Sequence, residues 1–153
     1  MKNPGRFGVR LLVALAACVA VAVPAHAAVS CHKINAKGVG QDLGGGMTQA
    51  RIIGGGLLHG TTQGNFVITG GAPPIFAIAG TVVFTTRKGT ATVSAAGTFD
   101  VATGDFLSSG PVTASTGQLA GMTGTLVLDG NEDLATGKFT EEVSGLVCVD
   151  LAP

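Results

Sequence analysis

The feature that most constrains this chain is a repeated punctuation mark. Asp100-Val-Ala-Thr-Gly-Asp-Phe106 returns thirty-three residues later as Asp133-Leu-Ala-Thr-Gly-Lys-Phe139. Each copy reads as a hairpin turn: Asp opens it, Gly supplies the positive φ that closes it, and the Phe two residues on starts the next strand with an inward side chain. Weaker versions stand at Gly64-Asn-Phe66 and Thr116-Gly-Gln-Leu119. Between such marks lie strand candidates at 57–61, 65–70, 75–86, 90–100, 105–114, 121–129 and 138–149. The turns fall at Gln63-Gly64, 71–74, 87–89, Thr103-Gly104, 115–117 and 131–137. Regular short strands joined by tight turns specify an all-β fold, an antiparallel sandwich or barrel. Composition agrees: 25 Gly, seven Phe and no Trp or Tyr suit pleats and corners, and helical periodicity is missing.

Upstream, Gly38, Gly40, 44–46 and 54–56 predict short strands over 31–36 and 48–53 joined by a mobile loop. Neither Gly triplet is a phosphate cradle, because Met47-Thr48 and Leu57-Leu58 stand where the P-loop needs Lys-Ser/Thr and a helix.

Residues 1–27 have the make-up of a secretory signal peptide: Lys2, Arg6 and Arg10, an apolar run from Leu11 to Val23, then Ala25 and Ala27 before the cut. The run is too short for a membrane span, and no second one follows. A competing reading takes Leu15-Ala-Ala-Cys18 as a lipoprotein box, anchored at Cys18; against it, the chain stays apolar beyond that cysteine. The remainder, 28–153, is one domain of about 125 residues, secreted or periplasmic. Removing the leader leaves six basic against nine acidic side chains, a balance of −3, with no basic patch for nucleic acid.

Two cysteines then remain, Cys31 and Cys148. An even pair in an oxidising compartment reads as a disulfide between the first and last strands. Metal ligation is the poorer reading, because two cysteines 117 residues apart lack paired-ligand spacing and His32 cannot complete a site alone.

Strand parity gives the interior. Phe76, Ile78, Val82 and Phe84 share a face, as do Val93 with Phe99, Met122 with Leu126 and Leu128, and Phe139 with Val143 and Val147. Over 75–86 the opposite face, with Ile75 and Val83, is apolar as well. A strand apolar on both sides is covered on both sides, which predicts a homo-oligomer.

The run Thr116-Gly-Gln-Leu-Ala-Gly-Met-Thr-Gly124, the strand to Gly130 and the Thr-Gly-x-Phe turn ending at Phe139 resemble small bacterial proteins of the allene oxide cyclase and dirigent-like barrel group. There a Thr-Gly-Arg-Phe-x-Gly-Ala-Thr-Gly run precedes a strand and a hairpin with Thr-Gly at its tip; here Gln118 and Leu119 replace the Arg and Phe. The likeness covers about the last ninety residues, and Leu57-Leu-His-Gly-Thr-Thr62 extends it forward. It implies an eight-stranded antiparallel barrel with an apolar cavity, commonly homo-oligomeric, which in plant relatives steers cyclisation or radical coupling. Plant members place Tyr near the cavity and this chain has none. The resemblance therefore carries a cavity and no reaction.

Within such a cavity, Phe66, Phe76, Phe84, Phe99, Met122 and Phe139 are the candidate ligand contacts. Glu141 breaks the pattern: it shares a face with Phe139, Val143 and Val147, so an uninterrupted strand points a carboxyl group inward. Such a group holds its proton to higher pH and acts as an acid or orients ligand hydroxyls. The other reading is a bulge near Gly145 that turns Glu141 outward. His59 reads as a rim or turn histidine, or as a general base. Asp129-Gly-Asn-Glu-Asp133 has oxygen ligands at alternating positions but lacks the Gly and Glu of a calcium loop, and reads as an acidic turn. Serines lack the context of a catalytic triad. No metal or cofactor is expected. Two functions stand: a barrel that binds a small apolar ligand and guides its cyclisation or coupling, or a non-enzymatic envelope or extracellular module whose barrel is filled by its own Phe side chains.

Overall fold

In the computed structural model, which describes residues 29–151, eight antiparallel strands run in sequence order and close into a barrel by pairing the last with the first. The strands are β1 (Ser30–Gly44), β2 (Met47–Gly54), β3 (Gly60–Ala72), β4 (Ile75–Thr86), β5 (Gly89–Asp100), β6 (Asp105–Ser115), β7 (Thr123–Asp133) and β8 (Lys138–Val149). Closure gives every strand two partners, which removes the exposed edge that an open sheet of this length would carry. The signal-peptide and Cys18 readings lie outside the described residues.

The repeated motif makes the same turn twice. Asp100 accepts a hydrogen bond at Oδ1 from the Ala102 N–H (2.8 Å) and at its carbonyl from the Gly104 N–H (2.8 Å). Asp133 does the same with Ala135 (2.9 Å) and Gly137 (2.7 Å).

Three segments differ from the sequence reading. The predicted loop after residue 36 is strand, and the whole bend is confined to Gly44-Gly45-Gly46, each at positive φ (83°, 64° and 79°). Gly38 and Gly40 sit inside β1 because bulky side chains of β8 occupy the space where their own would be: a Cβ on Gly38 would stand 2.5 Å from Cγ of Glu141, and one on Gly40 would meet the Phe139 ring. The predicted strand 57–61 is instead a short 3-10 turn, Gly56–Leu58, that folds Leu57 and Leu58 into the lumen. Gln63-Gly64 is no turn; Gly64 lies within β3, where a Cβ would meet Oγ1 of Thr48. At Gly38, Gly40 and Gly64 the glycine marks close approach of neighbours and not a corner.

The two ends of the barrel differ. At the end holding both termini, Leu58, Phe84, Leu119, Met122, Leu126, Val147 and Val149 are buried and fill the lumen. Cys31 and Cys148 are register partners across the β1–β8 seam and are joined by a disulfide, Cα to Cα 3.9 Å. That bond belongs to an oxidising environment.

Candidate functional site

At the opposite end, under the hairpin turns β1–β2, β3–β4, β5–β6 and β7–β8, the lumen stays open as a cavity of about 500 Å³. Its walls are mainly apolar: Phe66, Ile78, Val82, Phe99, Phe106, Leu128 and Phe139, with Val67 and Ile68 at an exposed lip. Phe106 and Phe139, the terminal residues of the two repeated turns, meet edge to face with ring centroids 5.8 Å apart. One sequence device thus produces both the hairpins over the mouth and an aromatic wall below them.

Glu141 points into this cavity. β8 pairs with β1 and β7 without a register shift, so no bulge turns the side chain outward, and Gly145 continues the strand opposite Ile34. The residues level with Glu141 on its two sides are Gly38 and Gly130. Gly38 leaves the room that the Glu141 side chain uses, and the space over Gly130 is taken by the ring of Phe106. Glu141 is 6% exposed. Desolvation raises its pKa from 4.5 to about 7, and no neighbouring charge or hydrogen bond contributes to that shift. Among the described residues no fully buried side-chain oxygen lacks a partner, so the carboxyl oxygens reach into the cavity and are not sealed in the wall.

Two further polar side chains are buried, Thr62 and Ser108, and both line the same cavity. All three buried polar groups of the described chain therefore converge on one space. Nearer the mouth stand Asp42 and Glu132. Glu132 also has a raised pKa, first from burial and second from the negative charge of Asp42. No Lys, Arg or His is among the lining residues.

No family model, curated protein or solved structure matches this chain. The site is thus read from its own geometry.

Of the residues singled out from the sequence, Phe66, Phe99, Phe139 and Glu141 line the cavity. Phe84 and Met122 do not; both are buried in the filled end, where the lumen narrows around Leu58 and Leu119. Phe76 is half-buried near the β3–β4 turn and stands outside the lining. His59 is exposed and follows the 3-10 turn at the terminal end, remote from the cavity, which removes it as a base for chemistry at Glu141. The 129–133 segment belongs mostly to β7: alternation sends Asp129, Asn131 and Asp133 outward and Glu132 inward. Asn131 Nδ2 donates to Oδ1 of Asp105 (2.8 Å), so the segment is held as a strand end. The sequence reading turns Phe106 inward without counting it among the ligand contacts, and it misses Thr62, Ser108, Asp42 and Glu132. The repeat that gives Phe139 its place among those contacts gives Phe106 the same one.

Proposed function

We propose that this is an extracytoplasmic barrel, exported through residues 1–27, that binds a small and largely apolar molecule in the open half of its lumen. The observation that carries the reading is Glu141: a carboxyl group buried at the floor of an apolar cavity, with no protein partner of its own. Desolvating an ionisable group without pairing it is unfavourable for the fold, and such costs collect where a ligand supplies the partner. The volume falls in the range of small-molecule pockets. Below about pH 7 Glu141 is neutral. In that form it donates a hydrogen bond to a ligand oxygen and serves as a general acid where negative charge develops on that oxygen. Held against Phe66, Phe99, Phe106 and Phe139, a flexible ligand is folded by shape, which is the requirement for guided cyclisation or stereoselective coupling. The resemblance of residues 116–139 to the allene oxide cyclase and dirigent-like barrel group, together with the closed eight-stranded topology, supports this reading.

A second reading, a non-enzymatic envelope module, draws on the filled end, where the chain's own Phe84, Leu58 and Leu119 occupy the lumen. Native mass spectrometry of protein from its own envelope separates the two. A co-purifying small molecule that is lost on Phe139→Ala supports the first. Ligand-free protein that also fails to take up any apolar probe overturns it.

A further inference from the structure

The lining has an asymmetry of charge that the ligand must match. Six of the positions facing the cavity carry polar side chains, and the three that ionise are all acids: Glu141 lies with Thr62 and Ser108 at depth, Asp42 and Glu132 stand at the mouth, and Thr48 is the sixth. From the strands packed against β8, the charged groups facing Glu141's side of the lumen are Asp42 at the end of β1 and Glu132 at the end of β7. The strands across the lumen contribute only Thr48, Thr62, Ser108 and apolar side chains. Lys138 and Lys37 lie on the outer face.

An apolar molecule with a carboxylate or phosphate head finds no countercharge here and meets the field of two acids on entry. An apolar molecule with a protonated amine finds the reverse. Its ammonium group pairs with Glu141, its N–H donors have the oxygens of Thr62 and Ser108 in the same cavity, and its hydrocarbon lies on the Phe wall, where aromatic faces attract cations as well as carbon. Resting on the ligand-binding reading above, we propose that the natural ligand is an apolar amine, bound as its ammonium ion to ionised Glu141, with Asp42 and Glu132 admitting cations and turning anions away.

Proton balance follows. Below about pH 7 the empty site holds an acid. An alkylammonium, whose own pKa is about 10, keeps its proton. Pairing therefore expels the carboxyl proton to solvent, and amine affinity rises with pH through the Glu141 titration. A neutral ligand has the opposite dependence, because covering the carboxyl group favours its uncharged form.

Three probes of one shape make the test: 1-naphthylmethylamine, 1-naphthylmethanol and 1-naphthoate, titrated calorimetrically into the oxidised protein at pH 5.5, 7 and 8.5 in two buffers of different ionisation enthalpy. The inference predicts amine tighter than alcohol and alcohol tighter than carboxylate at pH 8.5. It also predicts amine affinity rising with pH, close to one proton released per amine bound at pH 5.5, and about a thirtyfold or greater loss of amine affinity in Glu141→Gln with alcohol binding little changed. The proton count is read on the wild-type chain and stands even if the variant folds poorly. Alcohol bound as tightly as amine, with no proton released, would overturn the amine assignment and leave the ligand-binding reading intact. Failure of all three to bind would overturn that reading itself.

Discussion

Glu141→Gln tests the buried carboxyl group through stability, with no ligand required. In the folded chain the pKa stands at about 7 in place of 4.5. In the unfolded chain the group is solvated and titrates at its ordinary value. Between these two pH values the native state binds more protons than the unfolded state, so stability falls as pH rises from about 4.5 to about 7 and levels off above. At about 1.4 kcal/mol per pH unit the full loss is about 3 kcal/mol, an upper figure because cavity water relaxes part of it. Gln has nearly the same shape and no charge to desolvate. The variant is thus expected to match wild type near pH 4.5 and to exceed it by up to about 3 kcal/mol at pH 8.5, an upward shift in Tm of about 10 °C for a domain of this size. Urea titrations across that range, with the disulfide intact and Glu142→Gln as the exposed control, give the difference directly. Variant and wild-type curves that stay parallel would refute the desolvation argument. A variant less stable at pH 8.5 would mean that the carboxylate has a partner.

The Cys31–Cys148 bond closes a loop of more than a hundred residues across the seam; Cys31→Ser with Cys148→Ser should cost about 4–5 kcal/mol in the chain-entropy model, and two free thiols titrating in folded, unreduced protein would refute the bond. Gly40→Ala should lower stability by about 1–3 kcal/mol, because its Cβ would press on the Phe139 ring and stand 2.6 Å from the Gln49 carbonyl oxygen, which the β1–β2 pairing holds in place; a neutral effect in a thermal melt would mean the strands part easily there. Val83→Lys tests self-association through the outer face of β4, where Ile75 is 52% exposed: sedimentation should show the assembly dissociating with the barrel still folded, and wild type that is monomeric at micromolar concentration would contradict the idea.

The antiparallel strands were legible because their information is local, whereas turns and alternation left sandwich and barrel open and only the resemblance pointed to an eight-stranded barrel. Asp and Gly at fixed offsets make the turns, and alternation assigns the faces of β4 to β8 without reference to a partner strand. The inward direction of Glu141 was half legible: parity placed it, but only the unbroken pairing with Gly38 and Gly130 excludes a bulge. What stayed hidden depends on neighbours across the sheet. Gly38 and Gly40 look like loop residues until Glu141 and Phe139 are known to lie over them, and that proximity joins positions about a hundred residues apart. Ser108 shares the inward parity of Phe106 yet looks like one more solvent-face residue in a chain rich in Thr and Ser, and Thr62 adjoins the misread Gln63-Gly64 turn, so neither stood out as a lumen group. Which end is filled was likewise invisible, because Leu57-Leu58 reads as strand and becomes a plug only when the chain folds back over the terminal opening.

The cavity is defined chemically by one carboxyl group that is buried, unpartnered and open to the lumen. NMR titration of the side-chain carboxyl carbons of Glu141 and Glu142 in the ligand-free oxidised protein measures this most directly. The two residues adjoin in sequence and lie on opposite faces of β8. Glu141 is predicted to titrate at about 7, well above the ordinary glutamate value of 4.5. A Glu141 that titrates together with Glu142 would show that the group is solvated or faces outward, and would contradict the site.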